Sequence, residues 1–438
     1  MRVLIIDTED MGLDFALRCT DAGHDVRLYH DHKSKIGDGF KGVKKVPDWR
    51  EHMAWASEGL ILTTGNSKYL PALDRYRDHG FDVFSPSVKS AALEIDRALG
   101  IAEMRRVGIE VAEFNTFAGL DEAEAFARKA QAPYVFKTLG DEADKSLSYV
   151  SSDPADLVGW IQRQKARGLK LKGPCILQQK IEIIAEVGVS GWFGPQGFLA
   201  DKWQVCFEHK KLMDGENGPN TGEMGTVCQY VKSDTMAEEM LEPMAPLLKK
   251  LGHRGDFAIG CGIDAKGKAW PFEFTARCGW PAFFIQTASH KGDPAQWMRD
   301  LLDGEDTLDV SRDVAIGVVC AQPRWPYGDS KPEMVEGAPI SGIAEVREQI
   351  HPAQMMMRTG PVMEDGQVAD KPVHQTAGEL VFVATGLGST VTKAREAVYA
   401  AVKATSFPDR MVREDIGLKL EDPLPKLHRF GFAKSMEF

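Results

Sequence analysis

Residues 1–86 alternate short apolar runs with helix-period stretches, and that alternation constrains the fold more than any other feature of the chain. The runs Val3–Ile6, Asp25–Tyr29, Gly59–Thr63 and Asp82–Ser85 are too short for helices and read as strands. Leu13–Ala22 and Leu70–His79 lie between them and read as helices. Such repetition implies a small parallel sheet with helices on its faces. The turn Phe84-Ser-Pro-Ser87 marks a domain edge. With 438 residues the chain exceeds one ordinary core, so roughly two to four domains are expected. The turn after the first strand, Asp7-Thr-Glu-Asp-Met-Gly12, lacks GxGxxG and is acidic where a pyrophosphate would lie. A nicotinamide-dependent oxidoreductase is therefore a poor reading of this opening.

Beyond the edge, Glu94–Val107 and Ala155–Arg167 have helical periodicity, and Tyr134–Phe136, Tyr149–Val150 and Cys175–Gln178 read as strands. Phe207–Gly225 is polar and glycine-rich and reads as a long loop, of the kind that is usually functional. Asp256–Ile263 and Ala269–Phe274 flank the turn Asp264-Ala-Lys-Gly-Lys268, a hairpin signal. From about Asp313 the pattern changes to short strands with Gly and Pro turns, ending in a strand at Leu380–Ala384 and a helix at Thr392–Ala404.

Lys plus Arg number 53 against 64 Asp plus Glu, a net charge of −11, which argues against broad binding to nucleic acid or an anionic membrane. The 7 cysteines form no CxxC pair, which points to a reducing cytoplasm rather than a disulfide framework. The N-terminus does not read as a signal peptide, and no apolar run approaches the roughly 20 residues of a membrane span.

Three segments carry a family resemblance. Asp214-Gly-Glu-Asn-Gly-Pro-Asn-Thr-Gly-Glu-Met-Gly225 resembles the loop DxDTGPNTGGMG of the phosphoribosylamine–glycine ligases. Pro271-Phe-Glu-Phe-Thr-Ala-Arg-Cys-Gly279 is similar to that family's EFNxRFG. Ala384-Thr-Gly-Leu-Gly-Ser-Thr-Val-Thr-Lys-Ala-Arg-Glu-Ala-Val-Tyr399 with Arg413-Glu-Asp-Ile-Gly417 is similar to VTGxGxTVxEAxxxAY and YRxDIG. Each alone is weak, but their order and spacing match over nearly the whole chain. The resemblance implies a multi-domain α/β fold. A doubly wound pre-ATP-grasp domain would occupy 1–86, an ATP-grasp core 87–312 with a mobile lid at about 114–182, and an α+β C-terminal domain 313–438. It also implies a cytoplasmic enzyme, monomer or homodimer, that uses ATP and Mg²⁺ to join a small-molecule carboxylate to an amine through an acyl phosphate.

The site residues follow from the same resemblance. Lys137, Lys145 and Arg97 stand where the family has its phosphate-contacting cations. Gln178 and Gln179 replace two glutamates at the adenine position, and Glu186 matches the ribose carboxylate. Glu273 matches the metal-binding glutamate, with Thr275 in place of an asparagine; alternation puts both on one face of their strand. Arg277 follows on that face and would stabilise charge on the transferring phosphoryl group. Asn220 and Thr221 are assigned catalytic roles in the glycine-rich loop, and Asp214, Gly222 and Glu223 substrate contacts. His209-Lys-Lys211 reads either as a solvated charge run or as a group reaching the acyl phosphate. Each isolated cation has a plain alternative as a surface charge.

The sequence departs from the family at several points. Gly140-Asp-Glu-Ala-Asp-Lys145 carries three carboxylates where the family loop is rich in glycine. The family's GxGGREH becomes Asp7-Thr-Glu-Asp-Met-Gly-Leu-Asp14, GPExPL becomes Thr64-Gly-Asn-Ser-Lys-Tyr-Leu70, GDPET becomes Gly279-Trp-Pro-Ala-Phe283, and GGR becomes Ala377-Gly-Glu379. These changes favour a divergent, less phosphorylated amine acceptor, joined to glycine or another small amino acid. The alternatives are a true phosphoribosylamine–glycine ligase of purine synthesis and a non-catalytic ATP-grasp binding protein.

Overall fold

The computed structural model describes residues 1–31, 34–139, 147–327 and 330–438. Its N-terminal part comprises β1 (Arg2–Asp7), α1 (Gly12–Asp21), β2 (Asp25–His30), β3 (Val43–Lys45), α2 (Met53–Ala56), β4 (Leu60–Thr63), α3 (Leu70–Asp78) and β5 (Val83–Phe84). The strands form a parallel sheet in the order β3-β2-β1-β4-β5. Chain order reverses between β1 and β4. In open parallel sheets that crevice, at the carboxyl ends of the strands, is where ligands bind.

The expected single helix from Glu94 is two, α4 (Val88–Ile95) and α5 (Arg97–Arg106). Asp96 leaves the helical region between them, and its side chain accepts from Leu99 N to cap α5. Next come β6 (Phe114–Phe117), α6 (Leu120–Ala127), β7 (Tyr134–Thr138), β8 (Tyr149–Val150), α7 (Pro154–Ala166) and β9 (Cys175–Gln179). They build a four-stranded sheet, β6-β9-β7-β8, whose own core includes Leu120, Phe136, Leu157, Ile161 and Leu177.

The central part runs through β10 (Ile183–Phe193), β11 (Trp203–Glu208), β12 (Lys211–Met213), β13 (Asn217–Asn220), β14 (Gly225–Val231), α8 (Ala245–Leu251), β15 (Gly255–Asp264), β16 (Ala269–Thr275), α9 (Ala282–Ser289), β17 (His290–Lys291), α10 (Gln296–Asp303) and β18 (Asp309–Val310). The chain closes with β19 (Val314–Ala321), α11 (Pro332–Val335), β20 (Glu336–Ile340), β21 (Ile350–Pro352), β22 (Met355–Glu364), β23 (Gln367–Ala377), β24 (Leu380–Gly388), α12 (Val391–Ala404) and α13 (Leu424–Phe430). One eight-stranded antiparallel sheet, β16-β15-β10-β11-β14-β19-β24-β21, joins the two stretches. The expected edge at 312/313 thus falls between strands that pair, Gly225 to Gln229 of β14 lying against Val318 to Val314 of β19.

The stretch Phe207–Gly225 is not one long loop. Lys211 pairs with Asn220 and Met213 with Asn217, so β12 and β13 fold it into a hairpin around Asp214–Glu216. Gly215 and Glu216 both have positive φ at its tip. Among the described residues no helix is long and apolar enough to cross a membrane.

Candidate active site

Strand register decides which side chains face the cleft. Glu273 lies opposite Gly260 and Thr275 opposite Ala258, while Gly188 lies opposite Gly260 and also opposite Cys206. Directly opposed residues share a face. Glu273, Thr275, Glu186 and Glu208 therefore project from the same side of the sheet. The floor between them is small-residued, and a Cβ added at Gly260 would meet no atom within 4 Å.

Arg97 reaches this floor from the first turn of α5. Its Nη2 donates to Glu273 Oε2 at 2.5 Å, and its Nη1 donates to the Thr138 carbonyl at 3.2 Å. One guanidinium thereby ties α5, β7 and β16 together. Lys137, at the end of β7, donates from Nζ to Gln178 Oε1 at 2.9 Å. Burial, helped by the nearby Arg97 and opposed by Glu273, pushes its ammonium down to about 8. Gln178 is buried, whereas the next residue, Gln179, is exposed. Alternation accounts for the difference, so of the two expected adenine contacts only Gln178 joins Lys137. Lys145 and the carboxylate-rich segment 140–145 lie outside the described residues.

Glu186 accepts from Lys210 Nζ, which also pairs with Glu208 at 2.9 Å. Burial would lower the Lys210 ammonium, but the two carboxylates raise it well above the usual lysine range. His209 beside it is fully buried. The run His209-Lys-Lys211 is thus not simply a solvated face; Lys210 links Glu186 and Glu208 to the start of the hairpin.

Arg277 follows β16. Its Nη1 donates to the Cys278 carbonyl at 3.1 Å, and its Nε lies 3.4 Å from Glu94 Oε1. Burial would lower the guanidinium, yet Glu94 and Glu9 hold it above its usual range. Glu94 also accepts from Ala276 N at 2.7 Å and Asn66 Nδ2 at 2.8 Å. Sequence reasoning missed Glu94 and Asn66 as site residues. The available signal was a carboxylate beside Leu93, on the apolar side of its helix.

The glycine-rich loop is used differently from expectation. The Thr221 hydroxyl and amide both donate to the Lys210 carbonyl, at 2.8 and 2.7 Å, so that hydroxyl hydrogen holds the loop. Asp214 Oδ1 accepts from Glu414 N at 2.9 Å, a bond to the C-terminal segment. Asn220 is exposed on β13, and Gly222 packs beside Trp280. Glu223 is buried and accepts from Thr226 Oγ1; burial and the nearby Glu208 raise its carboxyl well above the usual range. Of this set, Asp214 and Thr221 shape the loop instead of presenting free groups to a ligand.

At the crevice between β1 and β4, Asp7 fills the amino end of α1. Its Oδ2 accepts from Gly12 N at 2.8 Å; its Oδ1 accepts from Thr64 Oγ1 at 2.8 Å and from Glu9 N and Met11 N at 3.2 Å each. A helix amino terminus with free N–H groups attracts anions. Here a side-chain carboxylate of the same turn already takes that place.

A family model described as the ATP-grasp (A) domain of phosphoribosylglycinamide synthetase matches residues 101–260, and one for the C domain of the same synthetase matches 315–419. The phosphoribosylamine–glycine ligase of Ralstonia nicotianae is 29% identical over 356 residues, covering 79% of this chain and 80% of the relative. That of Halalkalibacterium halodurans is 26% identical over 387 residues, covering 85% and 86%. Among solved structures, the phosphoribosylamine–glycine ligase of Thermotoga maritima superposes with a TM-score of 0.69 at 21% identity, covering 95% of this chain and all of that one. A biotin carboxylase from Campylobacter jejuni superposes at 0.60 with 13% identity, covering 98% and 97%. At such identities the superpositions show the shared fold.

Proposed function

Because the chain is an ATP-grasp ligase resembling phosphoribosylamine–glycine ligase, we propose that it activates glycine with ATP and joins it to the amine of phosphoribosylamine. The observation that carries the site assignment is the convergence of Arg97, Glu273, Lys137 and Arg277 on one cleft. The choice of substrates rests on the curated relatives. They favour phosphoribosylamine over the divergent acceptor expected from the sequence departures.

The chemistry runs in two steps. A carboxylate oxygen attacks the γ-phosphorus, the bond to the leaving ADP breaks, and an acyl phosphate forms. The amine lone pair then attacks the acyl carbon; the C–N bond forms, phosphate leaves with its bonding pair, and the nitrogen gives up a proton. Lys137 and Arg97 would neutralise phosphate oxygens, and Arg277 would offset charge on the transferring group. Gln178 supplies an amide edge for the base and Glu186 a carboxylate for the ribose. The sheet spanning Phe114–Gln179 would act as the lid that excludes water.

Mg²⁺ fits the oxygen donors present. Glu273 is a hard carboxylate, partly open to the cleft, with Thr275 on the same face, and it already attracts a cation in Arg97. Among the described residues no group of three or more His, Cys, Asp or Glu could hold a metal ion. Glu273, with Thr275 beside it, would hold the cation, which would supply further charge neutralisation when bound.

A specific observation favours a second reading. Asp7 fills the amino end of α1, and burial pushes the neighbouring Glu9 carboxyl up, against Arg277 and with Asp7, Glu94 and Asp10 adding to the rise. This surface favours an amine acceptor with no phosphate at that turn. One experiment separates the readings: supply phosphoribosylamine generated in situ with glycine, ATP and Mg²⁺, and follow both product and ADP. Glycinamide ribonucleotide at roughly 1 s⁻¹ or faster supports the first reading. Its absence, with ADP release driven instead by glycine and a phosphate-free amine, supports the second.

A further inference from the structure

The segment Arg413–Lys419 lies about 200 residues beyond the substrate hairpin in the chain yet is bonded to it at nearly every turn. Arg413 is 1% exposed, among the largest fully buried side chains. Its Nη1 donates to the Lys211 carbonyl at 2.9 Å, its Nη2 to Glu216 Oε1 at 2.9 Å, and its Nε and Nη2 to the two oxygens of Asp415 at 2.8 Å each. Asp415 Oδ2 also accepts from Gly215 N at 2.8 Å, at the hairpin tip. Glu414 N donates to Asp214 Oδ1 at 2.9 Å, Gly417 N to His209 Nε2 at 3.0 Å, and Lys419 Nζ to the Glu208 carbonyl at 2.5 Å. The segment is fixed on its other side to α12, where Tyr399 donates from its hydroxyl to the Arg413 carbonyl and accepts from Ile416 N.

We propose that Arg413 and Asp415 are positioning residues that strap the hairpin Lys211–Asn220 onto the C-terminal part and so set where the loop Thr221–Met224 stands over the cleft. Three observations bear on this. First, the hairpin has little else to hold it: Met213 to Gly218 are all exposed, so apolar burial does not fix their place. Second, charged groups make the bonds across to the hairpin: Arg413 donates to the Lys211 carbonyl and to Glu216, and Asp415 accepts from Gly215 N. The bidentate fork between Arg413 and Asp415 within the strap holds those groups in place. Burial disfavours ionisation of Asp415, yet the bonds from Arg413 and Gly215 overcome it and hold the carboxyl at about 2. Third, the hairpin is continuous with groups at the site. Thr221 N and Met224 N donate to the carbonyls of Lys210 and His209, and Lys210 reaches Glu186. His209 accepts from Gly417 at Nε2, so its ring proton lies on Nδ1, and burial keeps the ring neutral. No strap residue touches a reacting group; the strap acts through the loop.

This inference rests on the reading of Thr221–Met224 as substrate-facing, and the test has one arm independent of it. The variants are Asp415→Asn and Arg413→Lys, which keep size or charge and remove part of the bidentate fork. In the first arm, hydrogen exchange of the intact protein should speed up at residues 211–224, while exchange in β10 and β15 stays unchanged. In the second arm, with phosphoribosylamine, glycine and ATP, the KM for glycine should rise roughly tenfold, the loss expected from one charge-assisted bond. The KM for ATP should stay near wild type, and ADP release should exceed amide formation because a loosened loop admits water. Folded variants with wild-type exchange at 211–224 would overturn the strap. Faster exchange with unchanged KM and coupling would overturn its role in positioning the loop, as would equal losses toward ATP and glycine. A wild-type enzyme that makes no amide from these substrates refutes the substrate reading alone, and the exchange arm still decides the strap.

Discussion

Arg97 and Glu273, 176 residues apart in sequence, meet at 2.5 Å where the first turn of α5 crosses β16. The pair sets a cation against the carboxylate that would take Mg²⁺. Glu273→Gln should leave the fold intact, because the side chain is 43% exposed. It should lower ADP release by on the order of 10² to 10³, the usual loss for one transition-state charge contact. Near-normal Mg²⁺-dependent turnover in the folded variant would remove Glu273 from the site.

Arg277→Ala should lower kcat by a similar order, about 10² to 10³. It should move the KM for ATP far less than Lys137→Gln does. Glu94 keeps its bonds from Ala276 N and Asn66, which limits the structural damage. Circular dichroism checks the fold, and steady-state kinetics with varied ATP checks the split. Equal effects on kcat and on ATP affinity would assign Arg277 to nucleotide binding alone.

Lys137 gives the site a pH dependence with a definite sign. Its ammonium titrates at about 8 in the folded chain against 10.5 ordinarily. As pH rises through about 8 the free enzyme loses this charge, so kcat/KM for ATP should fall on the alkaline side. Stability runs the other way: between about 8 and 10.5 the unfolded chain binds more protons, and the nucleotide-free protein should gain stability with pH. Lys137→Gln should abolish both trends. A rate profile flat through pH 9 in the wild type would show that this lysine does not contact ATP.

Beneath α9, Asp256 is pushed up to about 7 by burial, against bonds from Gln286 and Ser190. A raised carboxyl pKa stabilises the fold fully below the unfolded value, near 3.8, and that contribution is lost as pH rises through about 7. Unfolding free energy should therefore decline from about pH 4 to 7 in the wild type, by about 1.4 kcal/mol per pH unit at most, and the melting temperature should fall with it. Asp256→Asn should flatten that decline. Parallel curves for the two proteins would place the titration elsewhere.

Gly12→Ala tests the filled helix terminus. A Cβ there would stand 2.8 Å from Asp7 Cβ and 2.9 Å from its carboxyl atoms. Overpacking of this kind costs roughly 1–3 kcal/mol. The variant should melt earlier, and the loss from Gly12→Ala should be smaller when measured in an Asp7→Gly background, which lacks the clashing Cβ, than in the wild type. No change in melting would mean that Asp7 does not sit against the turn.

The local pattern was legible in the sequence where neighbours a few residues apart suffice. Period-two alternation placed Glu273 and Thr275 on one strand face, and the hairpin about Asp264 follows from its turn residues. The βαβ repetition gave the parallel sheet, and the ordered motifs gave the ligase resemblance. Tertiary structure alone decided what those residues meet. Asp7 and Asp14 are both carboxylates of the first βα unit. One caps the amides of its own turn, and the other pairs with Arg18 and with His351 more than 300 residues away. Asp214 carries a motif position suited to substrate but bonds to Glu414, and Arg413 is buried because the hairpin folds over it. Secondary structure depends on side chains i+2 or i+4 along one segment. An ion pair depends on which segments the core stacks together, and only the packed sheet fixes that.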